Sequence, residues 1–190
     1  MPYGAHETME VHEILNESIN MINHFSLYAQ ECQDPALRQM IERHLQTALQ
    51  SYHQLVAYTH DFNAVTHQMQ SYMMANVQPQ QIQYGLRSPS PQMPEMRGRL
   101  NDRQIASAML SFHKNSAKNN MTAALECADP NIREMLIRSA INCANQAYEL
   151  FILMNQRGLY QVPTMQDHTA KTYLHSYQPV EHIQTQRIHQ

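Results

Sequence analysis

Apolar residues recur along the chain at alternating steps of four and three, the spacing of a helix with one buried face. The first such stripe predicts a helix over Glu7–Ala29 and consists of Val11, Leu15, Ser18, Ile22, Phe25 and Ala29. A second stripe follows Asp34 and Pro35 and continues to Phe62. Asp can cap a helix, and Pro fits its first turn. The two helices are therefore predicted to form a hairpin with a tight corner.

The same pattern returns in the second half of the chain. A third helix is predicted to begin at Asn101-Asp102, and a fourth follows Asp129-Pro130 and ends before Gly158. The segment 29–40 recurs 95 positions later as 124–135, and both copies contain Glu-Cys-x-Asp-Pro. A repeat of this kind indicates two copies of one supersecondary unit. The sequence thus predicts two similar hairpins, 7–62 and 101–157.

The segment between the hairpins determines the predicted topology. Residues 63–100 contain several prolines and glycines, which exclude another long helix, although Gln68–Val77 is compatible with a short one. A connection of this length can run the full height of a bundle, as one crossover does in ferritin-like folds. We therefore expect an all-α, ferritin-like four-helix bundle in a single domain, 1–163, followed by a flexible tail, 164–190.

Composition excludes several classes of function. The formal net charge is −3 with 13 Lys and Arg, so no large basic surface for nucleic acid is expected. No segment has the length and apolarity of a membrane span, and the N-terminal residues do not resemble a secretory signal. We expect a protein made inside the cell. Its three cysteines favour reduced thiols over a disulfide framework.

Four blocks of sequence resemble the spore coat protein F family of endospore-forming bacteria. They are Tyr3–Glu13, Leu100–Ala106, Ala123–Pro130, and a final block from Tyr148-Glu149 through Gly158-Leu-Tyr-Gln-Val-Pro163. The resemblance implies a ferritin-like bundle, synthesis in the mother-cell cytoplasm, deposition in the spore coat, and partners among other coat proteins or further copies of itself. It implies no known catalytic site.

A ferritin-like bundle raises the question of a dimetal centre, which takes Glu from two helices and Glu-x-x-His from two others. This chain lacks that set, because the residues three positions after Glu42, Glu134 and Glu149 are Leu45, Ile137 and Ile152. The sequence therefore predicts no enzyme activity and no cofactor.

The first helix offers weak metal candidates in His6, Glu10, Glu13 and Glu17, whose spacing is compatible with one helix face. A solvated face is the simpler interpretation. However, no Lys or Arg occurs before Arg38, so these carboxylates lack a local basic partner. A cation or the basic surface of another protein would relieve their repulsion, and Glu7, Glu10, Glu13 and Glu17 are the corresponding interaction candidates.

The remaining polar residues have structural interpretations. His44 and His113 lie near apolar helix faces and are expected to be hydrogen-bonded groups in or beside the core. Cys32 and Cys127 follow helices that run in opposite directions in a ferritin-like topology, so they are expected at opposite ends of the bundle. Tyrosines of the linker and tail are candidates for cross-linking; they include Tyr72, Tyr84, Tyr173 and Tyr177.

The leading hypothesis from sequence is a structural protein that assembles into the spore coat. The alternative is a ferritin-like metal-binding or redox protein.

Overall fold

Four long helices form the protein. The computed structural model describes residues 4–61, 71–74, 76–87, 93–94 and 98–179. The helices are α1 (Ala5–Glu31), α2 (Pro35–His60), α3 (Asp102–Glu126) and α4 (Pro130–Gln156), and a short helix, α5 (Asp167–Leu174), follows. A 3-10 turn covers Pro79–Gln81. The described residues contain no strand, only isolated bridges from Tyr84 and Gly85 to Val162. The predicted all-α bundle is confirmed.

Contacts at the helix ends establish the direction of each helix. At one end, the backbone N–H of Leu100, just before α3, donates to Glu31 at the end of α1, with an N to Oε2 distance of 3.1 Å. At the other end, the N–H of Asp129 donates to Glu7 Oε2 at 2.7 Å. Helices α1 and α3 therefore run antiparallel, and the segment from α2 to α3 crosses the full height of the bundle. This is the single-crossover arrangement that the sequence predicted.

The two corners have nearly identical local structure. Asp34 caps α2 by accepting from the N–H of Leu37, and Asp129 caps α4 by accepting from the N–H groups of Asn131 and Ile132. The backbone angles of the capping residues are φ −75°, ψ 117° and φ −74°, ψ 120°. The repeated Asp-Pro thus folds alike twice, because a cap depends only on neighbouring residues.

Buried apolar side chains form two clusters, one toward each end of the bundle. The first lies around the start of α2 and the end of α4 and includes Phe25, Leu37 and Leu150. The second lies around the start of α4 and includes Leu55 and Ile132. Between them lies a polar layer that all four helices share; among its residues are Glu17, Ser51, Ser116, Asn120, Asn142 and Gln146. The bundle core is therefore divided by polar side chains at mid-height.

Amide side chains on α4 attach the crossover to the bundle. Asn142 Oδ1 accepts from the backbone N–H of Tyr72 at 2.8 Å. Asn155 Oδ1 accepts from the N–H of Gln83 at 2.8 Å, and its Nδ2 donates to the carbonyl of the same residue at 3.0 Å. These amides satisfy backbone groups that would otherwise be buried without partners.

Two local predictions differ from the structure. The short helix with which Gln68–Val77 is compatible does not occur in residues 71–74 and 76–77, where Asn142 binds the backbone N–H of Tyr72; residues 62–70 and 75 lie outside the described residues. The tail is not uniformly irregular, since Asp167–Leu174 is a helix with an Asp167–Lys171 ion pair at 2.8 Å. That helix buries no side chain, and residues 180–190 lie outside the described part.

Candidate functional site

Two fully buried histidines pack beside the larger apolar cluster. His44 on α2 and His113 on α3 each have 0% exposure, and His44 Nδ1 is 3.0 Å from His113 Nε2. Phe25 of α1 packs edge-on against the His113 ring, with centroids 5.2 Å apart. The pair therefore joins α2 to α3, which lie diagonally across the bundle.

Glu149 of α4 connects this pair to the crossover. Its Oε2 accepts from His44 Nε2 at 2.9 Å, and its Oε1 accepts from Arg43 Nη2 at 2.7 Å. The hydroxyl of Tyr72, on the crossover, donates to Oε2 and lies 3.1 Å from His44 Nε2. We call His44, His113, Glu149 and Tyr72, together with the exposed Arg43 at their edge, the buried network.

The chemistry of the acceptor fixes the positions of the protons. An ionised carboxylate only accepts, so the proton of a neutral His44 lies on Nε2 and points at Glu149. Its Nδ1 is then an acceptor for the Nε2–H of His113. The remaining nitrogen, His113 Nδ1, has no hydrogen-bond partner among the described residues. The network is thus a directed chain of donors that ends at a carboxylate.

Burial and neighbouring charge set the ionisation of the network. Burial lowers the pKa of both histidines from 6.5, and that of His113 falls well below it. Burial alone would raise the pKa of Glu149, but hydrogen bonds from His44 and Tyr72 and the nearby Arg43 lower it to about 2. Burial and contact with Glu149 raise the pKa of Tyr72 to about 12. At neutral pH the network therefore contains neutral imidazoles and an ionised Glu149 paired with Arg43.

The arrangement is suited to fastening the crossover. Tyr72 is held through its hydroxyl by Glu149 and through its backbone by Asn142. The imidazoles have no exposed surface through which to reach a substrate. The network therefore connects α2, α3, α4 and the crossover by hydrogen bonds, and its geometry supports a structural role.

The weak metal candidates on α1 are spread along the helix surface. His6 Nε2 is 3.3 Å from Glu10 Oε1, and its Nδ1 is 3.6 Å from Glu126 on α3. Glu17 accepts from Ser116 Oγ at 2.7 Å with Oε1 and from Asn119 with Oε2. Among the residues that the structure describes, no group of three or more His, Cys, Asp or Glu is arranged to hold a metal ion.

The interaction candidates fall into two groups. Glu10, Glu13 and Glu17 border a surface groove of about 420 Å³ between α1 and α3. Glu7, in contrast, is only 4% exposed, and its carboxylate binds the N–H of Asp129 at the second corner. The expectation that Glu7 is accessible to a partner is therefore wrong, because its carboxylate binds the partly buried backbone N–H of Asp129.

The sequence indicated part of the buried network. His44 and His113 were expected to be hydrogen-bonded in or beside the core, and this is confirmed. From sequence, Glu149 is a candidate only for metal binding, and Tyr72 only for cross-linking. Tyr72 is instead partly buried with its hydroxyl engaged. No local pattern marks this residue, because its partners come from helices that are distant along the chain.

Comparison with known proteins identifies the class to which this bundle is related. Residues 101–163, which include α3, the second corner and α4, match the family model of the Coat F domain. The predicted resemblance to the spore coat protein F family is confirmed.

Two individual proteins extend the comparison beyond that domain. The chain is 25% identical over 179 residues to the spore coat protein F-like protein YhcQ of Bacillus subtilis strain 168, an alignment that covers 94% of this chain and 82% of the relative. Its fold is similar to a crystal structure from Bacillus halodurans C-125, whose assignment as a spore coat protein is provisional; the TM-score is 0.64 at 16% identity, over 88% of this chain and 97% of the other. The family model and the match to YhcQ support a coat-related role, and the crystal structure shows that the fold is shared. No helix in the described residues has the length and apolarity to cross a membrane.

Proposed function

We propose that this protein is a structural component of the endospore coat, made in the mother cell and assembled there with other coat proteins or further copies of itself. The observation that carries the proposal is the similarity to YhcQ over 94% of the chain, which includes both hairpins. A rigid bundle whose crossover is fastened by a buried network is consistent with a building block. The full burial of the two imidazoles supports a role other than catalysis.

Localisation in the sporulating host tests this proposal directly. A fluorescent fusion expressed from the native promoter should appear first in the mother cell and then as a shell around the forespore. The untagged chain should be recovered in the coat extract of purified spores. Signal confined to the forespore interior, or protein that stays in the soluble mother-cell fraction, would refute the proposal.

We infer that the groove between α1 and α3 contributes to assembly by contacting a basic protein surface. Glu13 is exposed there, and no Lys or Arg occurs in the first 34 residues to neutralise the carboxylates. The double substitution Glu10→Gln/Glu13→Gln should lower the coat-bound fraction severalfold. Glu42→Gln, which removes one exposed carboxylate from α2, is the control and should change nothing. Equal incorporation of all variants would exclude this surface.

We also propose that the exposed tyrosines are cross-linked in the mature coat. Tyr84, Tyr173 and Tyr177 are 62%, 71% and 82% exposed, whereas the hydroxyl of Tyr72 is occupied. Mass spectrometry of mature spores should find modified peptides that contain the three exposed tyrosines and an unmodified Tyr72. Recovery of only unmodified, extractable monomer would contradict the proposal.

Metal analysis separates this function from the ferritin-like alternative. Protein purified without a histidine tag should contain substoichiometric metal, whereas a dimetal oxidase would contain about two ions per chain. Stoichiometric metal would favour the alternative.

A further inference from the structure

A cavity of about 40 Å³ lies at mid-height in the bundle, between the two apolar clusters. Side chains from all four helices line it, and most are polar; they include Ser18 on α1, Ser51 on α2, Asn120 on α3 and Gln146 on α4. The buried network lies one to two helical turns away along the axis and contributes none of its residues to the lining. The cavity is therefore a separate feature of the core.

Two buried polar atoms in the cavity wall have no partner among the described residues. They are Asn120 Oδ1 and Gln146 Nε2, and the two side chains belong to residues with 6% and 2% exposure. Asn120 Nδ2 donates to the carbonyl of Ser116 at 2.9 Å, which fixes the amide with Oδ1 as the unpaired acceptor. A buried polar atom without a partner costs about 1–3 kcal/mol, so native proteins rarely contain one that is not bound to a ligand or water.

The internal repeat accounts for the position of the cavity. Ser139 occupies the position 95 residues after His44, and Ser18 the position 95 residues before His113. Both serines line the cavity. In one half of the bundle, two imidazoles fill the core and hydrogen-bond to each other. In the other half, short hydroxymethyl groups at the equivalent positions leave room for a small polar ligand.

The wall chemistry restricts what that ligand can be. Gln146 offers an N–H donor, which disfavours a cation, and Glu17 places a carboxylate in the wall, which disfavours an anion. Both oxygens of Glu17 already accept hydrogen bonds from α3. The ligand must therefore be neutral and must both donate and accept hydrogen bonds.

We propose that this cavity is a binding site for a cluster of about three water molecules, given that one water needs roughly 10–15 Å³ of such volume. One water donates to Asn120 Oδ1, and another accepts from Gln146 Nε2. In this half of the core the water cluster provides hydrogen bonds between helices, as the buried network does in the half that contains His44 and His113. Water is thus an internal structural component of this bundle.

A crystal structure of the full chain at about 1.5 Å resolution tests the proposal, with a second crystal pressurised with xenon. Ordered waters should lie within about 2.7–3.2 Å of Asn120 Oδ1 and Gln146 Nε2. Xenon enters dry apolar cavities and should be absent from this one. A xenon peak in the cavity, continuous density for an ion or organic molecule, or side chains rearranged to pair with each other would overturn the proposal.

Substitution provides an independent readout in solution. In the intact protein, the side-chain N–H protons of Gln146 should show nuclear Overhauser effects to long-lived water. Asn120→Leu should remove at least one ordered water and weaken those signals severalfold, whereas Gln50→Leu, on an exposed face of α2, should leave them unchanged. If Asn120→Leu fails to fold, the xenon experiment on the native chain still tests whether the cavity contains water. Unchanged signals in a folded Asn120→Leu protein would contradict a bridging cluster.

Discussion

The two halves of the bundle core differ most at positions that the sequence repeat makes equivalent. His44, His113 and Glu149 form the buried network in one half, while Ser139, Ser18 and Gln54 occupy the corresponding positions in the other. The network fills its space and fastens the crossover; the serines line a polar cavity. A repeated unit can therefore keep its backbone while its two copies specialise, because packing tolerates change where a new partner or water fills the space.

The corners show the opposite behaviour. Cys32 and Cys127 each end a helix in extended backbone conformation, and the aspartates two residues later cap the next helix. The contacts that support the corners also correspond. Asp102 accepts a hydrogen bond from a backbone N–H of the first corner, and Glu7, 95 positions earlier, accepts one from a backbone N–H of the second corner. Local caps have been kept in both copies, whereas the central contacts between helices have diverged.

The largest difference between the halves should appear on substitution of the equivalent residues His44 and Ser139. His44→Ala removes a fully buried ring and leaves its partners unpaired, so the free energy of unfolding should fall by about 3 kcal/mol. Ser139→Ala removes one hydroxyl beside the cavity and should cost less than about 1 kcal/mol. Urea denaturation measures both values. Similar losses for the two variants would remove the distinction between the halves.

Acid should selectively weaken the half that contains the network. Both histidines have folded-state pKa values below 6.5, so the unfolded chain binds more protons once the pH falls below that value. Stability that is complete above pH 6.5 should be lost as the pH falls toward the folded-state pKa values, by up to about 1.4 kcal/mol per pH unit for each histidine. The pKa of Glu149 is lowered from 4.5 to about 2 in the folded protein. The stability that its ionised form contributes should therefore be lost as the pH falls from 4.5 to about 2.

Denaturation at a series of pH values, with two matched variants, checks this prediction. His113→Gln should reduce the loss of stability below pH 6.5, because the substituted residue does not titrate. His12→Gln, at an exposed position of α1, should leave the slope unchanged. A native protein with constant stability from pH 7 to 5 would show that the buried histidines do not control acid sensitivity.

A smaller difference should separate the two corners. Asp129 accepts from the buried hydroxyl of Tyr58 at 2.8 Å, whereas Asp34 pairs with the partly exposed Arg157 at 2.6 Å. Tyr58→Phe should cost about 1 kcal/mol, because it removes a hydrogen bond at a buried site. Arg157→Gln should cost less than about 0.5 kcal/mol, since solvent screens its charge. Thermal unfolding measures the loss of stability in both variants. A larger loss for Arg157→Gln than for Tyr58→Phe would contradict the prediction.

The smallest effect is expected from oxidation. Cys32 lies near Asp102 at one end of the bundle, and Cys127 near Glu7 at the other, about 38 Å away for helices of 25 residues. Burial raises the pKa of both thiols to about 11, with added effect from those carboxylates. Mild oxidation of the folded protein should therefore give slow reaction and no Cys32–Cys127 bond within one chain. Disulfide mapping of monomer and dimer bands tests this, and such a bond would be incompatible with the crossover topology.

Local and periodic features were predictable from the sequence. Three of the four long helices begin where Asp-Pro or Asn-Asp occurs. The predicted ends of α1 and α4 agree with the structure to within a few residues. The crossover followed from the length of the segment and its prolines. The domain division at residue 163 stays a prediction. The helix in the tail was missed because its eight residues are too few to show a sustained apolar period.

Tertiary structure alone decided the polar contacts inside the bundle. Glu7 and Glu10 belong to one acidic segment, yet Glu7 is buried because the N–H of Asp129, 122 residues later, lies beside it. In the sequence, nothing distinguishes Tyr72 from other loop tyrosines. Only the fold brings it into contact with Glu149 and Asn142. The sequence by itself determined helices, caps and antiparallel hairpins, because these depend on residues a few positions apart. The network and the cavity depend on distances between helices, which no local pattern contains.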